Sequence, residues 1–109
     1  MRYLKLLIIL CLSYISCSDE NPECIDEMID NFKQNQEGCT NANIIKYEFQ
    51  GEEVYAFSDG QCISDGGTAI WDLDCNSICF LGGIAGFTEC DGLDFYELAE
   101  EIKTVWMAK

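Results

Sequence analysis

Eight cysteines, twenty carboxylates and no histidine set the chemistry open to this chain of 109 residues. Thiolates and carboxylates can hold metals, thiolates can attack carbonyl groups, and paired carboxylates can hydrolyse glycosides. Without histidine, the common nucleophile arrangements lack their base. With twenty carboxylates on so small a chain, any chosen pair is uninformative, so the sequence predicts no enzyme and no cofactor. Zinc is disfavoured as well. Cys75 and Cys79 are the one close-spaced cysteine pair in the domain, and no histidine completes a ligand set. Cys24, Cys39, Cys62, Cys75, Cys79 and Cys90 instead form an even six, which reads as three structural bridges in an oxidising compartment.

Two further patterns invite a ligand. Asp72-Leu73-Asp74-Cys75-Asn76 places oxygens at alternate positions, as a calcium loop begins. The match ends at Ser77, where glycine is wanted, and at Gly83, where the bidentate glutamate is wanted. A looser site would draw on Asp59, Asp65, Asp91 or Asp94, but acidic turn residues ordinarily bond their own backbone, and no metal is expected. Leu81-Gly82-Gly83-Ile84-Ala85-Gly86 lacks the Gly-Lys-Ser/Thr ending of a phosphate loop and lies among acids. Its glycines fit close backbone approach to a sheet or a bulged strand. Trp71, Phe80, Tyr96 and Trp106 are expected in the core. Phe87 is the exception, because a Cys79–Cys90 bridge would hold it in a short loop. Gly82, Gly83, Gly86 and Phe87 therefore form a candidate recognition loop, with little ordering entropy left to lose on binding.

These residues must be positioned by a small domain. Asn21-Pro22-Glu23 reads as a helix start, with a capping side chain, proline at the first helical position and acid in the first turn. Ile25, Met28, Ile29 and Phe32 give one apolar stripe, Gly38 suits the stop, and the helix is expected over residues 22–35. The period then falls to two. Ile45, Tyr47 and Phe49 alternate with Lys46, Glu48 and Gln50, and a second strand includes Val54, Tyr55, Ala56 and Phe57. Gln50-Gly51 fits the intervening hairpin turn. Residues 68–73 and 80–85 read as a third and a fourth, Gly-interrupted strand. Asp91-Gly92 is a turn, Asp94 caps a short helix to about Glu100, and Ile102, Thr104, Val105 and Trp106 end the domain as a strand. The expected fold is α+β: an N-terminal helix packed on a small antiparallel sheet, stabilised by disulfides.

If Phe49 faces Glu52, the hairpin register carried outward sets Cys39 opposite Cys62. Cys24–Cys39 is disfavoured because the helix carries the chain ~15 Å away and few residues remain to return it. Cys79–Cys90 closes a Gly-rich loop, and by elimination Cys24 meets Cys75. This is one of many pairings that six cysteines allow.

The address comes from the first residues. Arg2 and Lys5 precede an uncharged ten-residue run, 6–15, that as a helix rises only ~15 Å, about half a bilayer core. Ser16-Cys17 at its end resembles a bacterial lipoprotein signal. That implies a signal peptide over residues 1–16, a lipidated Cys17, a tether over 17–21 and a domain over 22–109. Ser18-Asp19-Glu20 is similar to the acidic export tag of Bacteroidota surface lipoproteins. Tyr14 is an uncommon residue three before such a cleavage site, and an ordinary secretory signal is the alternative. Lipidation leaves the even six cysteines; cleavage before Cys17 without it leaves seven, one of them odd. The 93 residues from Cys17 onward carry all twenty acidic residues against Lys33, Lys46, Lys103 and Lys109, a formal charge of −16. Nucleic acid and anionic headgroups are poor partners for such a chain.

A longer succession carries a family resemblance. It runs through Cys24-Ile25, Phe32-Lys33, Cys39, Tyr47-Glu48-Phe49-Gln50-Gly51, Val54-Tyr55-Ala56-Phe57 and Asp59-Gly60-Gln61-Cys62. It continues with Asp74-Cys75-Asn76, Leu81-Gly82-Gly83-Ile84-Ala85-Gly86, Asp91-Gly92, Phe95 and Lys103-Thr104-Val105-Trp106. This resembles a small family of unknown function found in Bacteroidota lipoproteins, over residues 22–106. The resemblance implies a fold and an address but no activity. Cys79 and Cys90 depart together from its usual pattern, as paired cysteines would. The expected role is a non-catalytic binding or accessory module, anchored in the outer membrane through Cys17, facing the cell exterior and taking a protein or glycan ligand. The alternative is a small inhibitor of a protease or lysozyme-type hydrolase, with the loop from Gly82 to Cys90 as a wedge.

Overall fold

A computed structural model describes the protein over residues 21–62 and 66–108. The signal over 1–16, the lipidation candidate Cys17 and its tether up to residue 20 lie outside the described residues, as do Ser64 and Asp65.

The apolar stripe of helix α1 (Glu23–Asn35) buries Ile25 and Ile29 against the sheet. Glu23 and Asp26 in its first turn and Lys33 in its last suit the helix dipole. Its start differs from the expected one. Pro22 is the N-cap residue rather than the first helical residue, and no side chain caps this end. Asn21 is drawn away, because its Oδ1 accepts a hydrogen bond from the Tyr55 hydroxyl. Tyr55 is fully buried, so its hydroxyl needs a protein partner. Gly38, at φ 82°, lets the chain turn back toward the sheet.

Strands β1 (Asn43–Phe49) and β2 (Glu52–Ser58) pair in the expected register, from Phe49 opposite Glu52 to Asn43 opposite Ser58. Gln50 and Gly51 both take positive φ, 55° and 79°, as in a type I′ turn whose twist matches the strands it joins. Strand β3 (Gly67–Asp72) and strand β4 (Ser77–Gly82) follow. A miniature hairpin of β5 (Glu89–Cys90) and β6 (Leu93–Asp94) leads into helix α2 (Phe95–Leu98) and strand β7 (Glu100–Met107). The five long strands form one antiparallel sheet in the order β4-β3-β2-β1-β7. The last strand thus returns to pair with the first.

Two layers cover this sheet. On one face α1 packs over Ile44, Tyr55 and Phe57, with Trp71, Val105 and Trp106 at the sides. On the other, Phe49, Val54, Ala56, Ile70 and Leu81 meet Cys90 and Phe95, delivered by the miniature hairpin and α2. Val54 through Phe57 are consequently all buried, since alternate side chains of β2 enter opposite cores. Helix α1, one five-stranded antiparallel sheet and three disulfides make the α+β fold that the periodicity predicts; the second covering layer is an addition to it.

The C-terminal half also differs in detail. β3 spans Gly67–Asp72 rather than 68–73, and the fourth strand spans Ser77–Gly82 rather than 80–85. Ile84 and Ala85 lie in a turn, because Gly82, Gly83 and Gly86 all take positive φ and end the extended run. The short helix stops at Leu98, not Glu100, and Glu100 opens β7. Phe80 and Tyr96, expected in the core, are exposed. Phe80 lies on the edge strand β4, and Tyr96 sits on a one-turn helix with its ring edge-on to Phe95.

Candidate functional site

The Gly-rich segment is built as a braced hairpin tip. Gly82 exchanges two backbone hydrogen bonds with Phe87, its N–H donating at 2.7 Å and its carbonyl accepting at 3.3 Å. Between them Gly83 and Gly86 take φ of 72° and 67°, and the Gly86 N–H donates to the Gly83 carbonyl at 3.2 Å. A Cβ at Gly86 would meet nothing, so this position needs glycine for its backbone angle rather than for space. Close approach to the sheet, expected for the whole run, applies to Gly82, where a Cβ would come within 3.3 Å of the Gly67 Cα.

Behind the tip, Cys79 and Cys90 are joined with their Cα atoms 5.5 Å apart, and Cys90 is fully buried. Asp91 and Gly92, both at positive φ, turn the chain into β6. Asp94 then caps α2, its Oδ1 accepting the Glu97 N–H at 3.0 Å. The tip is thus fixed at its neck and at its return, and it presents Ile84 (88 % exposed) and Phe87 (62 % exposed). Phe87, expected at the surface from the sequence, is there; Ile84 was no more than a member of the Gly-rich run.

The remaining cysteines serve the scaffold. Cys24 joins Cys75 at a Cα separation of 6.2 Å, tying α1 to the β3–β4 turn, and Cys39 joins Cys62 at 5.3 Å beyond the open end of the first hairpin. There the Gln61 N–H donates to the Thr40 carbonyl at 2.9 Å and keeps the two chains side by side.

Asp59, Asp72 and Asp94 each accept at least one backbone N–H. Asp72 Oδ1 accepts the N–H groups of Asp74 and Asn76, each at 2.9 Å, and these bonds hold its carboxyl below the usual carboxylate range. Asp59 accepts from Gln36 Nε2 at 3.2 Å and from the Gly67 N–H at 3.4 Å. Among the described residues no group of three or more cysteine or acidic side chains converges as a metal site. Asp59 follows β2, Asp72 ends β3, and Asp91 and Asp94 share the miniature hairpin; Asp65 lies outside the described residues.

A second feature has no forerunner in the sequence reading. An open groove of about 360 Å³ runs between α1 and the β3–β4 side of the sheet. Met28, Asn31, Phe32 and Asn35 form its helix wall, at the i, i+3, i+4, i+7 spacing of one helix face. Phe57, Ala69, Trp71 and Phe80 form its sheet wall, and Asp59 closes one end. The available signal was the continuation of the α1 stripe into two asparagines; the alternation that places Trp71 and Phe80 on the helix side depends on the strand pairing.

Among the described residues no helix is long and apolar enough to cross a membrane. A family described as a domain of unknown function (DUF6970) matches residues 30–108, a span that includes all five strands of the sheet, the tip and five of the six bridged cysteines. No curated protein and no solved structure matches the chain.

Proposed function

The chain belongs to the DUF6970 family, and we propose that it acts as a non-catalytic binding module on a bacterial surface, displayed from the outer membrane by a lipid on Cys17. The observation that carries the binding role is the braced tip. Ile84 and Phe87 stand exposed on a turn that hydrogen bonds and a disulfide have already ordered, so an apolar partner cleft could take them at small entropic cost. The surface address is supported by the signal-like start, by Ser18-Asp19-Glu20 in the manner of a Bacteroidota export tag, and by the even cysteine count. The partner is a protein, and the acidic surface selects a basic one.

Photo-crosslinking from position 84 on intact cells tests this reading. A discrete protein adduct is expected, lost with Phe87→Ala and lost from the membrane fraction with Cys17→Ala. No adduct above that of a crosslinker placed on α1 overturns the binding role. Retention of Cys17→Ala in the membrane overturns the anchor.

The same rigid apolar tip on an acidic body favours one sharper version, a wedge that inhibits a basic lysozyme-type hydrolase or a protease. Inhibition that survives Phe87→Ala unchanged would remove it.

A further inference from the structure

We infer that the groove between α1 and β3–β4 is a binding site for a neutral saccharide, separate from the hairpin tip. Its two walls differ in chemistry. The sheet wall offers the aromatic side chains of Trp71 and Phe80 on adjacent strands, and Phe80 is 49 % exposed. The facing helix wall sets the exposed carboxamides of Asn31 and Asn35, one turn apart and each with donors and an acceptor, beside the apolar Met28 and Phe32. The Asp59 carboxylate closes the end as an acceptor.

A ligand that fits must therefore show an apolar face on one side and a row of groups that both donate and accept on the other. A sugar ring does so, with its C–H face and its hydroxyl rim. A purely apolar ligand would cover the two amides and leave them unpartnered, whereas Asp59 already accepts from Gln36 and Gly67. An anionic one has no counter-charge, since no lysine or arginine lines the groove among the described residues and the whole chain carries −14. The volume is at the lower end of ligand sites, which run from ~300 Å³ upward.

The aromatic wall is also set in advance. The Phe80 ring lies across Gly67, so close that a Cβ at position 67 would fall 2.7 and 2.9 Å from two ring atoms. Asp59 Oδ2 accepts the N–H of that same glycine. Platform and acceptor are thus fixed to one point of β3, and binding need not order them.

Fluorescence titration of the full chain tests the site. Trp106→Phe leaves Trp71 as the single tryptophan reporter. The probes are neutral trisaccharides built from glucose, mannose, galactose or N-acetylglucosamine. At least one is expected to give a saturable emission change with a Kd of about 1 mM or tighter, weakened about tenfold or more by Phe80→Ala and by Asn31→Ala with Asn35→Ala. The paired asparagine variant alters exposed side chains and is expected to keep its melting temperature, so loss of binding there is not loss of fold. No response from any probe up to about 10 mM overturns the site, as does a response that both variants leave unchanged. Saturation by a short aromatic peptide, with none by the saccharides, overturns it in favour of a peptide groove. Because the tip is untouched, none of these outcomes bears on the Ile84 and Phe87 reading.

Discussion

The two faces of the sheet are sealed in different ways. A helix of 13 residues covers one face and reaches the core with Ile25 and Ile29, with Met28 and Phe32 beside them. Two strands of two residues and a helix of four cover the other, and there the plug is a single ring. Phe95 is 0 % exposed, with the rings of Tyr47 and Phe49 at 5.1 and 5.0 Å. Each face also has its own bridge, Cys24–Cys75 on the helix side and Cys79–Cys90 on the other. Where a cover is long, many modest contacts share the burial; where it is short, one large side chain and a nearby cross-link carry it. The candidate sites follow the same division. The groove is a gap left where the helix does not span the sheet, whereas the tip is a by-product of bracing the short cover.

This contrast is most exposed at the plug. Phe95→Ala should cost about 4 kcal/mol in urea unfolding, because neither β6 nor the one-turn helix can collapse into the void. Ile29→Ala, on the shared face, should cost closer to about 2 kcal/mol. Equal losses would break the distinction between a shared and a single-anchor cover.

The bridges come next. Removing Cys24–Cys75, with a sequence separation of 51, should cost about 4 kcal/mol by chain entropy, against about 3 kcal/mol for Cys79–Cys90, with a separation of 11. Hydrogen exchange sharpens the comparison. Replacing Cys79 and Cys90 with alanine should accelerate exchange at the Phe87 and Phe95 amides while α1 stays protected. Uniform acceleration would mean that the two covers unfold as one.

The smallest effect belongs to the β3–β4 turn that Cys75 shares with the helix side. Asp72 has a folded pKa below the ordinary 3.8, so its contribution to stability is present above that value and lost as pH falls through the depressed one. The melting temperature of Asp72→Asn should therefore trail the native chain at pH 6, and the gap should narrow as pH falls below the ordinary carboxylate value. A gap that persists in acid would assign the effect to side-chain packing.

Much of the helix face was legible beforehand. The stripe of Ile25, Met28, Ile29 and Phe32, the Gln50-Gly51 turn and the alternation of Ile45, Tyr47 and Phe49 each express a preference that spans a few residues. The hairpin register also reached outward to Cys39 and Cys62, because pairing is rigid once the turn is set. The opposite face was not legible. Phe95 lies in a segment too short to show a period, and the four consecutive buried residues of β2 conceal which core each one enters. The recognition loop was found through its glycines and cysteines, whereas the groove went unseen because its walls come from elements about forty residues apart.

By itself, then, the sequence determined the class of the fold, the first hairpin and its register, the even set of bridging cysteines and a Gly-rich loop marked by Phe87. These follow from backbone angles and side-chain periods that neighbouring residues decide. Tertiary structure alone decided that the last strand returns to the first, that a second layer closes the sheet around Phe95, and that Phe80 is left at the surface beside Asn31 and Asn35. Burial belongs to pairs of distant residues, and no local run of the chain carries it.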